Sequence, residues 1–228
     1  MKNLILGHGL LGKELVKQTG WDYLTYEDDK IDANHFDTFH IEQVYQADTI
    51  INCIGYTQTY DEERDNHWKV NYEFVANLTD FCNTSGKKLV HVSTDYVYAK
   101  TSSDNNEFDI PVHQETWYSY CKLLADGYVQ LRAKDYLMFR CSFKPRPFPY
   151  GKSYANMWGN FDYVDVVAGQ MVELINEDRK GIWNIGTRLK TMTELAKQTK
   201  PDVEEITPLT GKMPDYISMC LRKFQSRK

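Results

Sequence analysis

A glycine-rich turn near the start of the chain constrains its fold more than any other sequence feature. Gly7-His8-Gly9-Leu10-Leu11-Gly12 follows the short apolar run at residues 4–6 and precedes apolar residues at helical spacing. In a strand–turn–helix setting, a GxGxxG pattern permits a tight turn and brings backbone N–H groups close to a pyrophosphate. The pattern therefore predicts a dinucleotide-binding βαβ unit, with a plain glycine turn as the alternative.

Short apolar runs alternate with amphipathic segments through the first 140 residues. The pattern predicts strands at 4–6, 23–26, 49–54, 89–92 and 136–141. It predicts helices after the glycine turn and at 41–47, 66–82 and 117–132, while the polar residues 101–116 read as a loop. Strands alternating with helices predict an α/β fold with a Rossmann-type doubly wound parallel sheet.

The composition changes abruptly at residues 144–151, KPRPFPYG, where three prolines cannot occupy a central strand or helix. We expect a boundary here. Residues 1–143 would form the dinucleotide-binding domain and residues 144–228 a small C-terminal substrate lobe packed on it. Within the lobe the sequence predicts a helix at 164–176, a short strand at 183–185 and weaker helices near 191–199 and 215–225.

Composition and charge exclude several classes of protein. The 228 residues are 42% hydrophobic with a net charge of −5 and no long basic run, so no nucleic-acid partner is expected. No apolar stretch approaches membrane-spanning length and the N-terminus runs directly into a strand, so neither a membrane span nor a signal peptide is expected. Five cysteines without CxxC spacing fit reduced thiols and a cytoplasmic location, and no metal site is predicted.

A second group of residues has the chemistry of an acid/base site. Tyr118 and Lys122 are four residues apart on a predicted helix, so an ammonium group can lie near a phenol and lower its pKa. Two other YxxxK pairs occur, Tyr26/Lys30 and Tyr96/Lys100. Only the pair at 118 and 122 combines a helix with hydroxyls, Ser93 and Thr94, at the carboxyl end of a central strand. The alternative is an exposed helix pair.

Several blocks of the sequence together resemble the extended short-chain dehydrogenase/reductases, and most closely the dTDP-4-dehydrorhamnose reductase family. In the first half they are the glycine motif, INCIGYT at 51–57 with WKVN at 68–71, VHVSTDYVY at 90–98 and YSYCKL at 118–123. In the second half they are RCSF at 140–143, YVDVV at 163–167 and GIWNIGT at 181–187. The NAD-dependent epimerases and dehydratases belong to the same superfamily.

The resemblance implies a role for each matching residue. Thr94 would hydrogen-bond a substrate carbonyl, Tyr118 would donate its proton, and Lys122 would lower the tyrosine pKa and hold the nicotinamide ribose. Besides Tyr118 and Lys122, the residues implied around an NAD(P)H cofactor are Gly7, His8, Gly9, Leu10, Leu11, Gly12, Asp32, Ile54, Gly55, Tyr56 and Asn71. Those implied for substrate binding are Thr94, Asp95, Tyr96, Phe143 and Arg146.

Some of these assignments have structural alternatives. Asp32 could be a helix cap, Asn71 could satisfy backbone groups inside its helix, and Tyr56 could belong to the core. NAD and NADP both stay open, because three acidic residues follow the second predicted strand, Glu27, Asp28 and Asp29. A substrate diphosphate could meet Lys144, Arg146 or Lys152, or these cations could belong to a solvated loop.

The expected reaction is NAD(P)H-dependent reduction of a 4-keto nucleotide sugar in deoxysugar or polysaccharide biosynthesis. Related dehydratases carry an Asp-Glu pair after the catalytic threonine, but here Asp95 is followed by Tyr96. Epimerase-reductases need a cysteine at position 96 and a histidine in the second half, whereas the last histidine is His113. An epimerase or dehydratase, and a non-catalytic NAD(P)-binding sensor, stay as the alternatives.

Two further expectations concern the substrate and assembly. The resemblance implies a shortened substrate-binding lobe, because the chain between Phe143 and Tyr163 is shorter than in family members, so the sugar can differ from theirs. The family commonly forms homodimers through helices beside the active-site helix. The helix that carries Trp68 and Tyr72 is the candidate contact, with burial of these rings in the core as the alternative.

Overall fold

Six parallel strands form the central sheet of the computed structural model, which describes residues 2–29, 32–33, 42–101, 103–207 and 213–227. In chain order these strands are β1 (Asn3–Leu6), β2 (Asp22–Leu24), β3 (Thr49–Asn52), β4 (Lys88–Val92), β5 (Tyr136–Arg140) and β10 (Gly181–Asn184). Their order across the sheet is β2-β1-β3-β4-β5-β10. The direction of winding reverses between β1 and β3, and doubly wound folds bind ligands in the crevice at such a point.

Helices cover both faces of the sheet, which is why its strands read as continuous apolar runs. The helices are α1 (Leu10–Thr19), α2 (Tyr26–Asp29), α3 (Glu42–Gln46), α4 (Arg64–Trp68), α5 (Phe74–Ser85), α6 (Trp117–Arg132), α7 (Val164–Asn176), α8 (Met192–Lys197) and α9 (Arg222–Gln225). A π-helical turn, Lys69–Glu73, joins α4 to α5, and a 3-10 turn, Asp95–Tyr98, follows β4. No helix among the described residues is long and apolar enough to cross a membrane.

Alternation along the strands creates two hydrophobic layers. On one face, residues of α5 and α6 such as Leu78 and Val129 pack with Leu4 and Leu89 of the sheet. On the other, α1 and α7 pack against a row that crosses four strands in register, Ile5, Ile51, Val90 and Leu137. The sheet is therefore buried on both sides, and apart from the buried His91 of β4 its polar side chains lie at strand ends.

Short strands and a third hydrophobic cluster build the C-terminal lobe. The strands are β6 (Phe143–Lys144), β7 (Lys152–Tyr154), β8 (Trp158–Gly159), β9 (Asp162–Tyr163), β11 (Lys190–Thr191), β12 (Glu204–Ile206) and β13 (Tyr216–Ile217). They pair as β11-β8-β13, β12-β7 and β6-β9. Lys190 is buried among them and donates to Asp162 Oδ2 at 2.7 Å and to the Phe161 carbonyl at 2.8 Å. An ion pair thus ties the middle of the lobe together.

The Rossmann-type α/β fold predicted from the sequence is confirmed, with the five early strands and the helices between them in place. The helix predicted at 215–225 is wrong: the segment forms β13, which pairs with β8, and the four-residue helix α9. The strand predicted at 183–185 belongs to the central sheet as β10, beside β5. The boundary at residue 144 stays a prediction, and the sheet draws strands from both sides of it.

Candidate active site

A cleft of about 400 Å³ opens at the carboxyl edge of the sheet, where α1 begins. Residues from the ends of β3, β4 and β5 meet there, because the carboxyl ends of parallel strands share one edge. Its lining comprises Gly9, Leu10, Leu11, Asn52, Cys53, Ile54, Gly55, Thr57, Thr59, Asn71, Val92, Ser93, Thr94, Tyr96, Tyr118, Lys122, Cys141, Ser142, Phe143, Lys144, Pro145, Tyr150 and Met157. The volume is within the usual range of ligand sites.

The glycine turn has the geometry of an anion-binding loop. Gly7 has φ 93°, and a Cβ on Gly12 would lie 2.0 Å from the Gly7 carbonyl oxygen, so both positions require glycine. A Cβ on Gly9 would meet nothing within 4 Å, and Gly9 lines the cleft. Since α1 has no side-chain cap and no acidic residue in its first turn, its N-terminal N–H groups fit a phosphate.

The remaining residues expected around the cofactor divide into two groups. Ile54, Gly55 and Asn71 line the cleft, and Asn71 holds the backbone of Tyr56 through two hydrogen bonds of 2.9 Å. His8 and Tyr56 lie outside the lining: His8 stacks on Tyr23 with ring centroids 4.0 Å apart, and the half-buried Tyr56 packs edge-on against His67. The structure therefore places the loop after β3, rather than the His8 side chain, against the ligand space.

The acidic residues at the end of β2 close a turn. Asp29 Oδ2 accepts from the Thr25 backbone at 2.9 Å, and the Thr25 hydroxyl donates to Asp28 Oδ2 at 3.2 Å. Asp32 is half-buried and lies outside the cleft lining. Asp28 and Asp29 thus have a structural role in this turn, and neither NAD nor NADP is selected by them.

The three residues expected to be catalytic converge in the cleft. Thr94 ends β4 and caps the 3-10 turn by accepting from the Tyr96 backbone at 3.2 Å. The Thr94 hydroxyl donates to Asp95 Oδ1 at 3.3 Å and lies close enough to Tyr118 to oppose the rise in the pKa of that phenol. Lys122, one helical turn beyond Tyr118, is 5% exposed and donates from Nζ to the Val92 carbonyl at 2.6 Å. A hydroxyl, a phenol and an ammonium group therefore face one space.

Burial controls the protonation of this group. It raises the pKa of Tyr118 well above its usual value, against the opposing effect of the Thr94 hydrogen bond. It lowers the pKa of Lys122 to about 8, opposed by the nearby Asp126. The expected lowering of the Tyr118 pKa is therefore not found in this structure, where burial raises that pKa. Tyr118 is held as a neutral phenol, which is the form that donates a proton.

A buried carboxylate, Asp95, and a tyrosine pair, Tyr60 and Tyr96, lie next to Tyr118, and of these three residues Tyr96 alone lines the cleft. Asp95 is 2% exposed, and burial raises its pKa to about 6, with the charge of Lys144 as the main opposing effect. Tyr96 shares a 2.6 Å hydrogen bond with Tyr60, and its ring centroid lies 6.3 Å from that of Tyr118. Asp95 and Tyr96 are thus both placed beside the expected proton donor.

The structure does not bring Arg146 to the cleft. Its guanidinium donates to Asp165 Oδ1 at 2.9 Å and covers the ring of Tyr163 at 4.2 Å. Phe143 and Lys144 do line the cleft, whereas Lys152 is exposed and paired with Glu204. Of the three cations considered for a diphosphate, Lys144 is the one at the site.

Several lining residues were absent from the predicted site residues, among them Cys53, Thr57, Thr59, Ser142, Tyr150 and Met157. Cys53 follows β3 and Ser142 follows β5, so position after a parallel strand was a signal that could have identified them. Tyr150 and Met157 come from the irregular lobe, where no such rule applies.

The parallel sheet, the glycine turn and the Thr94–Tyr118–Lys122 cleft define a Rossmann-type α/β protein with the architecture of the short-chain dehydrogenase/reductases. The family model described as RmlD substrate binding domain matches residues 1–171, and the chain belongs to that family. The family resemblance read from the sequence is therefore confirmed.

A curated relative and several solved structures are similar to the chain. Spore coat polysaccharide biosynthesis protein SpsK of Bacillus subtilis is 29% identical over 150 residues, which are 62% of this chain and 53% of SpsK. The chain thus matches about half the length of that relative.

The structural matches extend over almost the whole chain. A dTDP-4-dehydrorhamnose reductase of Clostridium acetobutylicum has a TM-score of 0.83 at 21% identity, covering 100% of this chain and 92% of that one. The Bacillus anthracis dTDP-4-dehydrorhamnose reductase in complex with NADP has a TM-score of 0.84 at 21% identity, covering 99% and 91%. These matches confirm the fold, and the shortening between Phe143 and Tyr163 stays a prediction.

Proposed function

We propose that the chain is an NAD(P)H-dependent reductase of a 4-keto nucleotide sugar that serves deoxysugar or polysaccharide biosynthesis. The observation that carries the proposal is the convergence of Thr94, Tyr118 and Lys122 below the uncapped start of α1. The family adds support, since its structural relatives include dTDP-4-dehydrorhamnose reductases, one of them in complex with NADP. The name of SpsK places that relative in polysaccharide biosynthesis.

Ketone reduction needs a hydride, a proton and a group that polarises the carbonyl. Bound NAD(P)H would supply the hydride. The Thr94 hydroxyl and the Tyr118 phenol line the same cleft and can act on one carbonyl oxygen, and Tyr118 Oη passes its proton to that oxygen as negative charge develops. The buried cation of Lys122 stabilises the phenolate that is left, because an opposite charge is worth more away from water.

The neighbours of Tyr118 favour reduction over water elimination. Elimination needs a second acid/base group next to the substrate, and position 96 carries a phenol bound to Tyr60 instead of a carboxylate. Burial also raises the pKa of Tyr96 well above its usual value, so this phenol stays protonated and is a poor base.

Two further parts of the proposal concern location and assembly. The five free cysteines of the chain fit a reducing compartment, and a cytoplasmic location belongs to the proposal. A homodimer through the helix that carries Trp68 and Tyr72 stays a prediction. The rings of Trp68 and Tyr72 lie 4.8 Å apart, and Tyr72 also contacts Tyr128, so part of this aromatic surface is covered within the chain.

The decisive experiment measures NAD(P)H oxidation with a panel of nucleotide 4-keto sugars, comparing wild type with Tyr118→Phe. Loss of the proton donor should lower kcat about 10²–10⁴-fold. NAD(P)H affinity, measured by fluorescence, should change little, because the glycine turn is untouched. Equal turnover in both proteins would contradict the assigned chemistry. NAD(P)H binding without turnover of any sugar would favour a sensor.

A further inference from the structure

His67 occupies a buried position that no part of the proposed chemistry uses. It lies on α4, is 0% exposed and sits behind the loop that leaves β3 along the cleft. Its ring contacts Tyr56 of that loop, with centroids 4.8 Å apart, and Tyr118 on α6, with centroids 6.1 Å apart. A single imidazole therefore separates the cofactor-facing loop from the proton donor and touches both.

Hydrogen bonds determine the tautomer of the neutral His67 ring. Asn71 Oδ1 accepts from the Tyr56 N–H and Asn71 Nδ2 donates to the Tyr56 carbonyl, both at 2.9 Å, so the positions of the amide oxygen and nitrogen are unambiguous. Its Nδ2 also faces His67 Nδ1 at 3.2 Å, so Nδ1 must accept. The proton of a neutral ring is then on Nε2, which donates to Asp61 Oδ1 at 2.9 Å.

The contacts form a closed ring of four residues. Asp61 Oδ2 accepts from the Tyr56 hydroxyl at 2.5 Å, so Tyr56 is bound through its side chain by Asp61 and through its backbone by Asn71. His67 links these two partners. Asn71 lies in the π-helical turn, a distortion frequent at functional sites. His67 and Asn71 are buried and Tyr56 and Asp61 are half-buried, and each member of such a connected network depends on the others for its position.

We propose that His67 is a positioning residue with two separable effects. Its Nδ1 acceptor orients Asn71 and thereby the loop at Tyr56 that faces the cofactor. Its ring packs on Tyr118 and holds the phenol in line with Thr94. The second effect rests on the proposed function, whereas the first concerns cofactor binding alone. Small displacements of such groups have large kinetic consequences.

Two substitutions separate the effects. His67→Phe keeps the ring against Tyr118 but removes both nitrogens, so it should raise the Kd for NAD(P)H about tenfold while kcat at saturating cofactor stays within about threefold of wild type. His67→Asn keeps an acceptor near the Nδ1 position but removes the ring. It should leave the Kd near that of wild type and lower kcat about tenfold or more.

Thr79→Val serves as the matched control. Thr79 is equally buried on α5 and its hydroxyl bonds only the Val75 carbonyl of its own helix, so its loss should lower stability and leave both Kd and kcat unchanged. If His67→Phe does not fold, His67→Gln replaces it for binding. It also loses the acceptor toward Asn71 and keeps a donor for Asp61.

The outcomes distinguish the two proposals. Two results would overturn the role of His67. One is a parallel change of Kd and kcat in both histidine variants. The other is a Kd for NAD(P)H within twofold of wild type in His67→Phe, or in His67→Gln where that variant replaces it. Wild-type protein that binds NAD(P)H and turns over no 4-keto sugar would remove the reductase proposal. The Kd comparison would then still decide the binding role of His67.

Discussion

Lys122 is both the cation of the candidate site and a charge that the fold buries at a cost. Burial lowers its pKa from 10.5 to about 8, so the folded chain releases this proton before the unfolded chain does. The unfolded state binds more protons between these two values, and stability therefore rises with pH from about 8 to about 10.5. Below pH 8 the full cost of the buried charge is present.

Lys122→Met should therefore make a protein that is inactive and more stable at pH 7. We expect a gain on the order of 1–3 kcal/mol, shrinking as the pH approaches 10.5. Thermal unfolding of both proteins at pH 7 and pH 10 measures it. A variant less stable than wild type at pH 7 would show that the hydrogen bond to Val92 outweighs the cost of burial.

The pKa shift of Asp95 gives stability the opposite dependence on pH. Its folded-state pKa of about 6 lies above the ordinary value of 3.8, so it contributes stability that is lost as pH rises through about 6.

Lys144→Met removes the main charge that opposes this rise and should raise the pKa of Asp95 further. Because Asp95 lies beside Tyr118, we expect its ionisation to form the acid limb of the kcat/KM profile. In Lys144→Met this limb should move to higher pH. Lys152→Met is the control, because Lys152 pairs with Glu204 outside the cleft, and an equal shift there would contradict the assignment.

Residue types, spacing and position in the fold singled out Thr94, Tyr118 and Lys122, and the structure brings all three into one cleft. Their catalytic roles, which the family resemblance implied, stay a prediction. Residue types and spacing were insufficient to choose between Lys144 and Arg146. That choice depends on β6, a two-residue strand that pairs with the distant β9, and on the turn that follows it. Such long-range pairing leaves no periodic signal in the sequence.

At the scale of elements, Gly9 and Gly12 of the glycine turn have different roles. Gly12→Ala would force a Cβ against the Gly7 carbonyl, so it should destabilise the protein by about 1–3 kcal/mol. Gly9→Ala has room, and its φ of −75° suits alanine, so the protein should fold normally. Its methyl group would fill the approach to the start of α1 and raise the Kd for NAD(P)H about tenfold or more.

Chemical denaturation and NAD(P)H fluorescence titration separate these two results. Unchanged NAD(P)H affinity in a stable Gly9→Ala protein would show that the pyrophosphate does not bind at the start of α1.

Buried strands and long amphipathic helices were the elements that the sequence predicted well. β3 is apolar on both faces and α6 keeps its period over sixteen residues, so local pattern alone identifies them. The two-residue strands of the lobe are too short to show a period. The segment near 215–225 takes its strand from contact with β8, a tertiary effect that overrides its weak helical pattern.

For the molecule as a whole, the central sheet is complete only when its last strand is in place. Trp183 and Ile185 from the β10 region and Val167 and Met171 from α7 contribute to the same hydrophobic layer as Ile5. A fragment of residues 1–143 would expose that layer and the edge of β5. We therefore expect it not to fold alone, which circular dichroism and thermal unfolding would test against the full chain. A cooperative transition in the fragment would support an independent domain.

The position of β10 also has a consequence for the order of events during translation. β5 is complete at Arg140, but the strand that pairs with it begins at Gly181. At about 5–20 residues per second, the ribosome needs roughly 2–8 s to add the intervening segment. Throughout that interval the edge strand β5, YLMFR, has no neighbouring strand on one side. Unpaired strand edges promote association with other chains. The nascent protein is therefore most in need of chaperone protection just after its cofactor-binding half has been made.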